Sequence, residues 1–210
     1  KTGKRHNNED ALRVLNHPEV EGWTGIACDG LGGHDNGEVA SEIVANSIAA
    51  YWEEFTTTPD TDEKVKKACD IAFDNINERS KAMNYAEMGT TLVMASIRRN
   101  SITIANLGDS RCYLIRPRMG VIFQTIDHTE ICGEKEVLNR KLCYLHSLTA
   151  NGRLARLNAP PVSITYFDPC LDIENDWYGC GGQYKTITML PPSIPWSGVS
   201  RIRGKGDSLS

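Results

Sequence analysis

Apolar and polar positions alternate, then cluster, in an order that predicts most of the elements over residues 1–129. Ala11 to Leu15 predicts a first strand, Asn16-His17-Pro18 a turn, and Trp23 to Asp29 a second strand. From Gly37 to Phe55 the period becomes 3.6. Val39, Ala40, Ile43, Val44, Ser47, Ile48, Tyr51, Trp52 and Phe55 share one face, which predicts a helix. Thr56 to Asp60 breaks it, and a second helix is predicted from Asp62 to Met83, with Val65, Ala68, Cys69, Ala72, Ile76 and Met83 as its apolar stripe. The period then falls towards 2. Strands are predicted over Thr90 to Ile97, Ser101 to Leu107, Arg111 to Ile115 and Val121 to Ile126, joined by short turns. Helices set between strands and followed by a meander predict an α+β fold with helices packed on an antiparallel sheet. Glu134 to Leu148 reads as a further helix, and Ala159 to Ser200 carries no clear period.

The elements are organised around Ile26-Ala27-Cys28-Asp29-Gly30-Leu31-Gly32-Gly33-His34, where an apolar run stops at a carboxylate and three glycines follow within four residues. Alone, this reads as a strand and a tight turn with Asp29 solvated. Two more acidic positions, Glu9-Asp10 and Asp109, also flank predicted strands. Carboxylates gathered at one end of a sheet repel one another unless cations neutralise them, and carboxylates with backbone carbonyls suit hard divalent ions. Arg5, four residues before Glu9, carries a guanidinium able to grip phosphate oxygens, although alone it reads as a surface cation. Asp109 reads equally as the cap of a hairpin turn. Thr90 and Thr91 read as strand residues near the site, His34 as a turn histidine, and Lys64, Lys66 and Lys67 as a solvated helix face.

Composition narrows the classes. A net charge of -4 gives no reason to expect nucleic acid or an anionic membrane as partner. No apolar run reaches the ~18 residues of a spanning helix, and no secretory segment follows the basic start. Seven cysteines without a C-x-x-C pair argue against zinc and fit a reducing, cytoplasmic location. Cys28, Cys69 and Cys112 read as small core residues. The start at Lys1 reads as a fragment.

Four motifs occur in order: Arg5-x-x-Asn8-Glu9-Asp10; Asp29-Gly30-Leu31-Gly32-Gly33-His34 with Gly37-Glu38-x-Ala40-Ser41; Gly89-Thr90-Thr91; and Ala105-Asn106-Leu107-Gly108-Asp109-Ser110-Arg111. Together they resemble the type 2C metal-dependent protein phosphatases (the PPM family), the bacterial branch most closely, over residues 1–129. The resemblance implies a central antiparallel β-sandwich flanked by helices in four layers (α/β/β/α). It implies hydrolysis of phosphoserine and phosphothreonine by a water activated between two Mn²⁺ or Mg²⁺ ions, without a phosphoenzyme. Asp29 resembles the carboxylate that bridges the ions, and Gly30 the residue lending one of them a carbonyl. Glu9 and Asp10 resemble acids that hold metal-bound water or ligate directly. Arg5 resembles the phosphate-binding arginine, and Asp109 the aspartate of a third, weaker ion, so that two or three ions are implied. His128, in Asp127-His128-Thr129, is similar to the family's histidine after the meander, with a structural role. The implied partners are phosphorylated proteins, substrates of a partner kinase.

The family also has an apolar-Ser-Asp-Gly motif and an Asp-Asn motif in its C-terminal half, and residues 130–210 hold neither. Asp168, Asp172 and Asp176 lack those surroundings, while Gly204 to Ser210 resembles the turn before the Ser-Asp-Gly strand. The chain therefore reads as one type 2C-like domain over 1–210, incomplete at its C-terminus and divergent over 130–210. Two alternatives stand beside the enzyme: a non-catalytic module of the same fold, acting in binding or regulation, and an unrelated metal-binding α+β domain.

Overall fold

The computed structural model describes residues 7–31, 36–84, 86–99, 101–116, 120–132, 135–138, 145–146, 162–167 and 184–189. In chain order these form β1 (Asp10–His17), a 3₁₀ turn (Pro18–Val20), β2 (Gly22–Asp29), α1 (Gly37–Glu54), α2 (Asp62–Ala82), β3 (Gly89–Thr90), β4 (Leu92–Arg98), β5 (Ser101–Leu107), β6 (Tyr113–Arg116), β7 (Gly120–Gln124), β8 (Thr129–Cys132), β9 (Lys135–Leu138), β10 (Leu145–His146), β11 (Val162–Phe167) and β12 (Tyr184–Met189). Six strands make one antiparallel sheet in the order β1-β2-β4-β5-β11-β12, and α1 packs on β1, β2 and α2. The α+β class follows directly.

Alternation along the strands explains the layers. Ala11 and Leu15 of β1, Ile26 and Cys28 of β2, Leu92 and Met94 of β4, and Ala105 and Leu107 of β5 turn one face of the sheet into the main core. Onto it α1 lowers Ala40, Val44, Ala45, Ile48, Ala49 and Trp52. The predicted stripe is thus rotated slightly: the small residues Ala45 and Ala49 pack inward, while Phe55 falls just beyond the helix and is exposed. Small residues let the helix approach the sheet closely, which explains the shift. Trp52, wholly buried, contributes about 3 kcal/mol by area.

The opposite face of the sheet has its own apolar cluster. Ile104 and Phe123 meet there with Ala95, Ile102, Cys112 and Leu114 beside them, so the β6–β7 hairpin covers the β4–β5 region on the side away from the helices. Farther along that face, Leu12, Val14 and Trp23 are exposed.

Four sequence expectations are corrected. The predicted strand Thr90 to Ile97 is broken at Thr91. The Thr91 N–H donates to the Asp29 carbonyl at 2.9 Å, and β3 pairs with β10 instead of continuing β4. The predicted helix over Glu134 to Leu148 is replaced, in its described parts, by β9, which pairs with β8, and by β10. Cys132 and Lys135 are register partners with only two residues between them in the chain, a spacing that favours a hairpin. The segment Ala159 to Ser200, read as aperiodic, holds β11 and β12, with Val162 and Ile164 joining the main core.

The fourth correction concerns Lys64, which is no solvated lysine but 4% exposed. Its ammonium lies 3.0 Å from Asp60 Oδ1 and 4.3 Å from the Trp52 ring centroid. Asp60 also accepts from Arg98 (Nη2 to Oδ1, 2.6 Å) and from Ser96 Oγ (2.6 Å), while Ser96 accepts the Trp52 indole N–H at 3.3 Å. The α1–α2 connection is thereby pinned to β4. Lys66, paired with Asp70, is half-exposed as expected of a helix face.

Candidate functional site

Four strand termini meet at one end of the sheet: the start of β1, the end of β2, the start of β4 and the end of β5. Asp10 and Asp29 are direct cross-strand partners, so both carboxylates stand on the same face, away from α1. Directly opposed residues in an antiparallel pair have Cβ atoms about 4.5–5.5 Å apart, and like charges so placed destabilise the sheet. An intervening cation reverses the sign of that interaction.

The backbone around Asp29 is held on every side. Gly30 N–H donates to the Glu9 carbonyl at 3.0 Å, and Leu31 N–H to the Gly89 carbonyl at 3.0 Å. Asp29 N–H donates to Thr91 Oγ1 at 3.0 Å, and the Thr90 hydroxyl lies 2.9 Å from the Asp29 carbonyl. The buried threonines thus act on the backbone of Asp29: Thr90 is a strand residue near the site, as read, whereas Thr91 stands in the break between β3 and β4.

The glycines and the Gly37-Glu38-x-Ala40-Ser41 motif have a packing reason. The first turn of α1 abuts the strand end backbone to backbone. A Cβ on Gly30 would stand 2.3 Å from the Gly37 carbonyl oxygen and 2.7 Å from that of Glu9. Ala40 is wholly buried beneath the contact, and Ser41 Oγ donates to the Glu9 carbonyl at 2.6 Å. Gly30→Ala must therefore displace rigid backbone rather than a side chain. The expected result is a loss of about 3 kcal/mol in urea denaturation, at the upper end of ordinary overpacking costs.

Asp109 follows Gly108, whose φ of +102° is left-handed and favours glycine. Its turn is anchored twice. Ser110 Oγ lies 2.6 Å from Thr91 Oγ1. Gly108 N–H donates to His128 Nδ1 at 3.3 Å, and His128 N–H donates to the Gly108 carbonyl at 3.0 Å. Because Nδ1 accepts, the ring proton sits on Nε2 and is donated to Ser163 Oγ, 3.0 Å away on β11. His128 therefore has a structural contact set. Arg111 and Asp127 brace the same turn with a two-pronged ion pair, Nε to Oδ1 at 2.8 Å and Nη2 to Oδ2 at 2.5 Å.

Of the predicted site residues, Glu9, Asp10, Asp29 and Gly30 are contiguous across β1 and β2, and the Asp109 turn adjoins them through Thr91 and Ser110. The three acidic clusters expected to converge lie at the same end of the sheet. Among the described residues, no three His, Cys, Asp or Glu side chains gather closely enough to hold an ion by themselves. In the sheet, β4 lies between the strand that ends at Asp29 and the strand that ends before Asp109. Arg5 and His34 lie outside the described residues. Cys28 and Cys69 behave as core residues; burial pushes each thiol up to about 12, so neither offers a thiolate.

The donor set fits a hard divalent ion: carboxylate oxygens on one face beside a glycine at the strand end, with no thiolate among the described residues. The pattern alone pointed to Asp29 and its neighbours. It includes Ser41 and Ser110 in its motifs but gives neither a role: they touch backbone and a second hydroxyl, and a serine in a turn or helix carries no signal of such contacts.

The chain is 35% identical over 117 residues to the serine/threonine phosphatase Stp of Listeria innocua, covering 53% of this chain and 46% of that protein. It is 35% identical over 118 residues to the protein phosphatase PhpP of Streptococcus pneumoniae, covering 54% and 46%. The chain thus spans about half the length of the curated relatives it matches. Its fold is shared with Stp1 from Staphylococcus aureus (TM-score 0.52, 22% identity, 78% of this chain and 71% of that one). It is shared equally with PstP/Ppp of Mycobacterium tuberculosis (TM-score 0.51, 21% identity, 80% and 74%). With the sequence model of the protein phosphatase 2C family matching residues 2–133, and the strand-end carboxylates, glycine contact and anchored turn lying inside that span, the chain belongs to the protein phosphatase 2C family.

Proposed function

We propose that this chain takes part in metal-dependent hydrolysis of phosphoserine and phosphothreonine on proteins. The observation that carries the reading is the direct opposition of Asp10 and Asp29 at the end of β1 and β2, beside Gly30. Asp29 would bridge two Mn²⁺ or Mg²⁺ ions, Gly30 would lend its carbonyl, and Glu9 and Asp10 would ligate or hold coordinated water. Bound ions of this kind lower the pKa of a shared water and supply a nucleophile near neutral pH. Asp29 and Asp10 bring the charge that holds such ions, and the hydrogen bonds at Glu9, Thr90 and Thr91 keep that charge oriented. Arg5 would hold the phosphate oxygens of the substrate, and Asp109 a third, weaker ion. The substrates would be phosphoproteins modified by a partner kinase in the cytoplasm. No described helix is long and apolar enough to cross a membrane.

A second reading has its own support. Residues 130–210 contain neither the apolar-Ser-Asp-Gly nor the Asp-Asn motif, and the described residues hold no three-acid group. A non-catalytic module of the same fold would bind a phosphoprotein or a regulator without turnover. Hydrolysis of a phosphothreonine peptide separates the two. Release of phosphate that requires Mn²⁺ and stops with EDTA is the expected result. A folded chain that releases none at any Mn²⁺ concentration would favour the module.

A further inference from the structure

The turn that carries Asp109 and the strand end that carries Asp29 are joined by one pair of hydroxyls. Thr91, 1% exposed, stands opposite Asp29 in the β2–β4 register, just past the last ladder pair, Ala27 with Val93. In a regular antiparallel pair, Asp29 N–H would donate to the Thr91 carbonyl. Here it donates to the Thr91 hydroxyl at 3.0 Å, while the Thr91 N–H returns to the Asp29 carbonyl at 2.9 Å. A threonine hydroxyl has one proton. Its oxygen accepts from Asp29 and also meets Ser110 Oγ, 2.6 Å away, in a bond that either hydroxyl can donate. The contacts run without a gap from Asp29 N–H through the Thr91 hydroxyl to Ser110. Beyond Ser110, Gly108 and His128 fix the other side of the turn to β11.

We propose that Thr91 and Ser110 are positioning residues that couple the orientation of Asp29 to that of the Asp109 turn, so that the two carboxylates are set as one unit. The metal arm of this proposal rests on the reading given above; the coupling itself does not. Neighbours that orient metal ligands are commonly worth 10–100-fold in metal affinity. Thr91→Val keeps the shape and β-branch but removes the hydroxyl. Thr91→Ser keeps the hydroxyl.

The test compares the unaltered chain, Thr91→Val, Thr91→Ser and Ser110→Ala. It measures amide hydrogen exchange without metal and Mn²⁺ affinity by titration calorimetry. Thr91→Val is expected to speed exchange at the Asp29 amide and over 108–110 by about 10-fold or more, with the β1 and β5 interiors unchanged, and to weaken Mn²⁺ binding about 10–100-fold. Thr91→Ser restores both. Ser110→Ala, at a half-exposed position, speeds exchange over 108–110 and keeps the test open should Thr91→Val fail to fold. Unchanged exchange over 108–110 in Ser110→Ala, or in Thr91→Val, overturns the coupling. So does a uniform rise across the whole sheet, which would mark Thr91 as merely structural. If the local exchange pattern holds but the unaltered chain binds no Mn²⁺, the coupling stands and the metal reading falls.

Discussion

Asp29→Asn is expected to lower Mn²⁺-stimulated hydrolysis of a phosphothreonine peptide by more than about 100-fold, since even groups that only orient a ligand cost 10–100-fold. The amide keeps the shape and one oxygen but loses the charge. Asp10 and Asp29 repel each other across the β1–β2 pair when no cation lies between them. The same substitution should therefore raise the stability of the metal-free chain, by roughly 0.2–1 kcal/mol in urea denaturation. The opposite signs are diagnostic. Lost activity with lost stability would mean that Asp29 matters to the fold alone. Undiminished activity would remove Asp29 from the reaction.

Asp60→Asn is expected to cost about 3–5 kcal/mol of stability, the range found when one member of a buried ion pair is removed. Its side chain is 3% exposed and faces Lys64 at 2% and Arg98 at 15%. Neutralising the carboxylate takes from Lys64 and Arg98 the anion they share. The pH dependence follows from the same contacts. Burial pushes the Asp60 carboxyl up, but hydrogen bonds from Arg98, Ser96 and Lys64 outweigh it and hold it below its ordinary value of 3.8. A depressed folded pKa stabilises above the unfolded value, and that stability is lost as pH falls through the folded one. Unaltered chains should thus show an acid limb of unfolding below about pH 4, followed by circular dichroism, and Asp60→Asn should flatten it. An unshifted acid limb would mean that Asp60 does not govern acid stability.

These two aspartates were unequally legible. Asp29 ends an apolar run and opens a glycine cluster, so its place at a strand end could be read directly. Asp60 lies in a break between helices, and nothing local shows that the break folds back on Ser96 and Arg98, thirty-six and thirty-eight residues later. The same blindness made Lys64 look solvated. Helical spacing assigns a lysine to a face, but it cannot show that a carboxylate and an indole ring close over that face.

Elements followed the same rule. α1, α2, β1, β2 and β5 follow from hydrophobic period alone, because each is seven residues or longer and carries its own apolar positions into the core. β9 and β11 did not. β9 is four residues whose pairing with β8 overrides helical spacing, and β11 takes its place from β5, more than fifty residues earlier. Short strands have little period of their own and are decided by the edge they find.

By itself, the sequence determined the α+β class, the helix faces, and the order of strand-end carboxylates and glycines, because these depend on local period and on residue chemistry. Only the tertiary structure decided that Asp10 faces Asp29, that Gly30 lies against the backbone of Gly37, that Thr91 lends its hydroxyl to Asp29 and Ser110, and that Lys64 is buried. Each of those depends on strand register and on contacts between residues far apart in the chain, which no local pattern encodes.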